Sequence, residues 1–143
     1  MGFSLSATTA IIGVAVLMSI EIIVSTTVPT VTDVNNAYDE MKTRSIEQIQ
    51  TDVNITNVRT IANGSDYDLY FDLTNTGSTT LETLNFNIMI NGTIYSSFNC
   101  SKDYVHPENS VTYSIDNLNG EGIRRLKIVT DNGISDYYTY VIT

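Results

Sequence analysis

Residues 3–24 read Phe-Ser-Leu-Ser-Ala-Thr-Thr-Ala-Ile-Ile-Gly-Val-Ala-Val-Leu-Met-Ser-Ile-Glu-Ile-Ile-Val, with one charge, Glu21, and no Lys or Arg before Lys42. As a helix rising about 1.5 Å per residue, this segment matches a hydrocarbon layer of roughly 30 Å. Phe3, Ile11, Ile12, Gly13, Val14, Leu17, Glu21 and Val24 are therefore expected on a membrane or filament-core helix over residues 1–28. A secretory signal would need a basic leader and a small-residue cleavage site. Only Met1 and Gly2 precede the apolar run, and Val24-Ser25-Thr26 is a poor site, so an uncleaved helix is expected. Glu21, near the end of the run, either reaches the interface or pairs with a partner helix. Ala7, Ala10 and Gly13 offer a small-residue face for close helix approach. Charge bias settles little: Lys42 and Arg44 alone would place the C-terminal part inside the cell, whereas the composition of that part suits the outside.

Pro29 is expected to interrupt the helix, because a proline lacks the N–H of an internal turn. A second helical stretch, a stalk over 29–51, is read from Val31, Val34, Tyr38, Met41, Ile46, Ile49 and Val53, with Asp33 near its start and Glu40 and Arg44 at i and i+4. This stalk packs either on its own domain or on another subunit. After Thr51 the period changes from near 3.6 to 2. Tyr67, Leu69, Phe71 and Leu73 alternate with polar residues, and Leu84, Phe86, Ile88 and Ile90 do the same. Val111, Tyr113 and Ile115 repeat the pattern, as do Leu126 and Ile128, then Tyr137, Thr139 and Val141. Turn signals divide the runs at Asn63-Gly64, Asn75-Thr76-Gly77, Asn91-Gly92, Asn119-Gly120 and Asn132-Gly133. About seven short strands are expected. The fold class is an all-β antiparallel immunoglobulin-like sandwich over 52–143, preceded by a long N-terminal α-helix that spans a membrane and continues as a stalk.

The chain carries 16 acidic and 7 basic residues, a net charge of −9. That balance argues against a nucleic-acid partner, since phosphate backbones demand cations. With 42% hydrophobic residues, it is no disordered acidic tail. Ser, Thr and Asn supply about a third of the residues, so polarity comes from neutral groups as on many extracellular surfaces. The single cysteine, Cys100, and single histidine, His106, leave little material for nucleophilic or zinc chemistry. There is no P-loop, dinucleotide turn or nucleophile elbow. No enzyme activity and no cofactor are expected.

Four Asn-x-Ser/Thr sequons, at Asn54, Asn63, Asn91 and Asn99, would accept glycans on a secreted domain, although composition alone yields about three. Asp66, Asp68 and Asp72, with Asp131 and Asp136, are the carboxylates for a calcium site, but they lack a calcium-loop spacing. Tyr137, Tyr138 and Tyr140 near the C-terminus are candidates for protein contact. Alternation puts Tyr138 and Tyr140 on one face of their strand and Tyr137 on the other.

The opening Met-Gly-Phe-Ser-Leu-Ser-Ala-Thr-Thr-Ala-Ile-Ile-Gly, running without a basic leader into a β-rich acidic domain, resembles the archaellum protein F family (FlaF, also called ArlF), accessory components of the archaeal swimming motor related to archaellins. The likeness extends over the helix and the sandwich and rests mainly on residues 2–13. It implies a stator component anchored in the cytoplasmic membrane, its sandwich outside, binding the surface-layer protein and the sister archaellum accessory protein G. It supplies no residue motif for the surface-layer contact. A homodimer or homo-oligomer stays open. The alternative is a filament subunit, a minor archaellin or type IV pilin-like protein whose helix packs in a filament core. Against that, the fifth residue from Phe3 is Ala7, where pilins usually carry Glu. An acidic, Asn/Thr-rich surface would make a polar, salt-dependent contact, with calcium as one aid.

Overall fold

The computed structural model describes residues 2–142, with the side chain of Phe3 outside the described residues. It divides into two units, Met1–Thr43 and Arg44–Thr143. The described residues of the first are all helical, the greater part of α1 (Gly2–Gln50). The stretch Ser4–Gln50 is long and apolar enough to cross a membrane by length and composition, and its most apolar window buries nothing within the chain.

The expected break at Pro29 does not occur: α1 runs through it. A proline inside a helix costs about 3 kcal/mol, by losing one hydrogen bond and crowding the carbonyl four residues earlier. Hydroxyls brace the turns on either side. Thr26 Oγ1 donates to the Ile22 carbonyl at 2.8 Å, and Thr30 Oγ1 to the Thr26 carbonyl at 2.7 Å. Neither bond reaches the Ser25 carbonyl, which Pro29 leaves without its usual N–H. The same i−4 bonding recurs at Thr8, Thr9, Ser19, Thr32 and Thr43. Val31, Val34 and Tyr38 of the expected stalk stripe are exposed.

The second unit takes in the last turns of α1, and these are tied to the loops of the sandwich. Asn132 Nδ2 donates to Thr51 Oγ1 at 2.6 Å, and Gln48 Nε2 donates to the Asn132 carbonyl at 2.9 Å. The Gln50 carbonyl accepts the Ser78 N–H at 2.8 Å, and the Asp52 carbonyl accepts the N–H groups of Thr76 and Gly77. Carbonyls at a helix end that would otherwise lack partners are thereby satisfied. Gly77 is required by closeness: a Cβ there would overlap the Gln50 carbonyl oxygen and the Asp52 nitrogen.

Among the described residues ten strands follow: β1 (Val53–Asn63), β2 (Asp66–Asn75), β3 (Leu81–Glu82), β4 (Asn87–Ile90), β5 (Thr93–Tyr95), β6 (Asn99–Cys100), β7 (Tyr104–Val105), β8 (Ser110–Leu118), β9 (Gly122–Val129) and β10 (Ser135–Ile142). One sheet has the order β1-β2-β8-β6 and the other β10-β9-β4-β5, with β3-β7 a short ribbon. All pairs are antiparallel. This is the strand arrangement of an immunoglobulin-type sandwich. Leu69, Phe71 and Leu73 from β2, Val111, Tyr113 and Ile115 from β8, and Ile88, Leu126 and Ile128 from the facing sheet form one core. The Phe71 and Tyr113 rings stack 5.3 Å apart.

Three details depart from the sequence pattern. Val53, counted with the helix stripe, opens β1 and lies in the core. Leu84, expected to face inward, is exposed, because a 3₁₀ turn at Thr83–Asn85 precedes β4 and only Phe86 of that pair is buried. On β10 the inward set is the other one. Tyr138 lies opposite Leu126 and Asp136 opposite Ile128, so the core-facing residues of β9 turn Tyr137, Thr139 and Val141 outward. The β4–β5 hairpin turns at Asn91-Gly92, with φ of 50° and 85°, the positive values that a two-residue hairpin needs.

Candidate protein-contact faces

The two outer faces of the sandwich carry opposite chemistry. On the β2–β8 face, Asp72 accepts the Thr112 hydroxyl at 2.6 Å and the Asn57 amide at 2.9 Å. The bond from Thr112, then that from Asn57, with a smaller pull from the Arg59 charge, hold its carboxyl below the usual range, while burial opposes them. Asp68 accepts the Asn117 N–H at 2.9 Å and lies within reach of the Asn63 amide. These acids are tied into the strands that carry them. No three His, Cys, Asp or Glu side chains converge on an ion position among the described residues.

The β9–β10 face is cationic and aromatic. Arg125 and Lys127 are two residues apart and so share a side of β9. Pairing across the Asn132-Gly133 hairpin sets Tyr137 opposite Lys127 and Thr139 opposite Arg125. The Arg125 guanidinium lies 4.3 Å from the Tyr137 ring centroid, and the Lys127 ammonium 5.0 Å. The Lys127 contact, the largest cause, lowers the Tyr137 phenol from its usual range, helped by the charges of Lys127 and Arg125.

Of the three tyrosines expected at a protein contact, Tyr137 and Tyr138 are 44% and 38% exposed. Tyr140 is a correction: only 5% exposed, it belongs to the core. Its hydroxyl meets that of Tyr67 across the two sheets at 2.9 Å. Burial, and then the Tyr67 hydrogen bond, push its phenol well above the usual tyrosine range. Tyr138 instead lines a shallow groove with Val58, Arg59 and Val141, between the edge strands β1 and β10.

All four sequon asparagines are exposed: Asn54 and Asn63 on β1, Asn91 in its turn and Asn99 at the start of β6. Asn63 shares its amide with Asp68 and Asn117, and Asn91 Oδ1 accepts the Arg125 N–H at 2.8 Å. His106 Nδ1 contacts the Thr80 hydroxyl at 3.1 Å. Cys100 donates to Thr83 Oγ1 and to the Lys102 carbonyl. Neither set of contacts pairs a nucleophile with a base. In the helix, Ile11, Ile12, Gly13, Val14, Leu17, Glu21 and Val24 are all exposed, while the side chain of Phe3 lies outside the described residues.

Sequence reasoning passed over Arg125 and Lys127. The Arg-Leu-Lys spacing was legible, but their meeting with Tyr137 required the hairpin register.

No family model matches the chain. An "uncharacterized protein" of Archaeoglobus fulgidus is 25% identical over 131 residues, spanning 87% of this chain and 78% of that one. Among solved structures, the archaellum periplasmic stator protein complex of FlaF and FlaG from Sulfolobus acidocaldarius is similar, with a TM-score of 0.44 and 20% identity, over 60% of this chain and 87% of that one.

Proposed function

We propose that the protein is a stator component of an archaellum motor, its helix set in the cytoplasmic membrane and its sandwich outside, gripping the surface-layer protein and paired with archaellum accessory protein G. The observation that carries this is the helix: from Leu5 to Val24 its large apolar side chains are all more than half exposed. A surface of that kind calls for hydrocarbon or other helices around it. The opening residues 2–13 supply the link to the motor. The sandwich suits a static part, because its strand hydrogen bonds and shared core must fail together under load. Its role is structural rather than catalytic.

The same exposed helix also favours a second reading, a filament subunit. Its 49 residues span about 74 Å at 1.5 Å per residue, more than twice the roughly 30 Å of a hydrocarbon core. Native full-length protein carrying a C-terminal tag separates the two. Retention in membranes after alkaline carbonate washing, with surface-layer protein cross-linked to it, supports the anchor. Recovery in sheared filaments alongside archaellin, with an N-terminus at Phe3 by mass spectrometry, would replace it with the filament subunit.

A further inference from the structure

We infer that the outer face of the β10-β9-β4-β5 sheet docks an acidic protein surface, with Arg125 and Lys127 as its charged anchors and Tyr137 holding them in place. The first ground is charge. The chain is acidic by 16 to 7, yet β4, β5, β9 and β10 together contain one carboxylate, Asp136. Asp136 lies opposite buried Ile128, and its Oδ2 accepts the Ile55 N–H at 2.8 Å, so the outward positions of this sheet hold no acid. Arg125 and Lys127 form no ion pair with a carboxylate among the described residues; their contacts are with the Tyr137 ring.

The second ground is preorganisation. Cation–π contact restrains both long side chains without neutralising them, which lowers the entropy lost when a partner's carboxylates arrive. The third is the apolar flank. Ile123 and Val141, directly opposite each other, are 71% and 57% exposed, and Ile94, beside Met89, is 56% exposed. Arg and Tyr bordered by aliphatic contacts match the composition of a protein-binding hot spot.

Two other occupants fit less well. Polybasic membrane attachment draws on a cluster of roughly 4–8 cations, and this face has two. A second copy would have to offer its own acidic face, where Asp68 and Asp72 already accept internal hydrogen bonds. An acidic partner would also be repelled by the remainder of this chain, so the face selects orientation as well as partner. The inference rests on the anchor reading only in locating such a surface on the outer lattice.

The test uses full-length protein in detergent, sedimented with purified surface-layer sheets, comparing wild type with Arg125→Glu/Lys127→Glu and the milder Arg125→Gln/Lys127→Gln. The reversal should weaken binding by about tenfold per charge, and wild-type binding should fall between about 0.05 M and about 0.5 M salt while the residual binding of the reversal variant does not. All variants should melt with wild type, since the altered side chains point outward. Sheets that bind wild type and reversal alike overturn the inference and leave the anchor reading standing. If sheets bind neither, the anchor reading fails and poly-L-glutamate decides: binding by wild type alone supports the face, and binding by neither protein overturns it. Loss on reversal of binding to anionic vesicles but not to sheets, or of self-association, assigns the face to lipid or to a second copy and likewise overturns it.

Discussion

The helix and the sandwich dispose of the same residue types in opposite ways. From Leu5 to Val24, the large side chains of Ile, Leu, Val and Met are each more than half exposed. From Val53 onward, the same types are drawn into one core in which Leu69, Leu73, Ile88, Leu126 and Ile128 are fully enclosed. A helix satisfies its backbone within itself and can leave its side chains for others to cover; a sheet must bury one face to persist. The sandwich therefore carries its own stability, whereas the helix takes its stability from its surroundings.

The largest expected effect tests that division directly. Phe71→Ala should cost the sandwich about 3–5 kcal/mol in urea unfolding, since it leaves a void beneath the Tyr113 ring. Leu17→Ala should leave the same transition unmoved, and an equal loss from the two would end the contrast. Gly77→Val should cost roughly 1–3 kcal/mol in the same assay, because its Cβ meets backbone that holds the helix end.

A smaller effect appears in alkali. Burial, with lesser contributions from Cys100, pushes Tyr113 well above the usual 10.0, and burial with the Tyr67 bond does the same to Tyr140. Their folded-state pKa values lie above the unfolded ones. The contribution is therefore complete below about pH 10 and is lost as pH rises beyond it. Tyr140→Phe should flatten that decline in a melting series, and an unchanged slope would show that Tyr140 does not drive it. The smallest effect belongs to Pro29→Ala. It should raise helicity by circular dichroism while the sandwich melts as before; a shift in that melt would show that the helix interior does stabilise the sandwich.

The legible parts of the molecule were those with long patterns. Phe3 to Val24 is apolar all round, so length and want of charge placed it, while β2 and β8 alternate over at least five residues, so their period placed them. The strands β5, β6 and β7 have two or three residues each, too few to show a period of two. In β10, Tyr137-Tyr138-Thr139-Tyr140-Val141 could face either way, and only the register against Leu126 and Ile128 decides. Pro29 was read by the rule that a proline breaks a helix interior, yet α1 continues through it. At the contact face, the charges could be read from spacing, while the ring that holds them could not, because it reaches them across a hairpin.

Back-bonded hydroxyls alter how a solvent meets α1. At Thr8, Thr9, Ser19, Thr26, Thr30 and Thr32 the O–H is turned to a carbonyl of the preceding turn, so each threonine presents chiefly its methyl group outward. A scale that scores these letters by composition charges the helix for hydroxyls already solvated by its own backbone. Transfer of α1 from water to oil is correspondingly easier than its spelling implies.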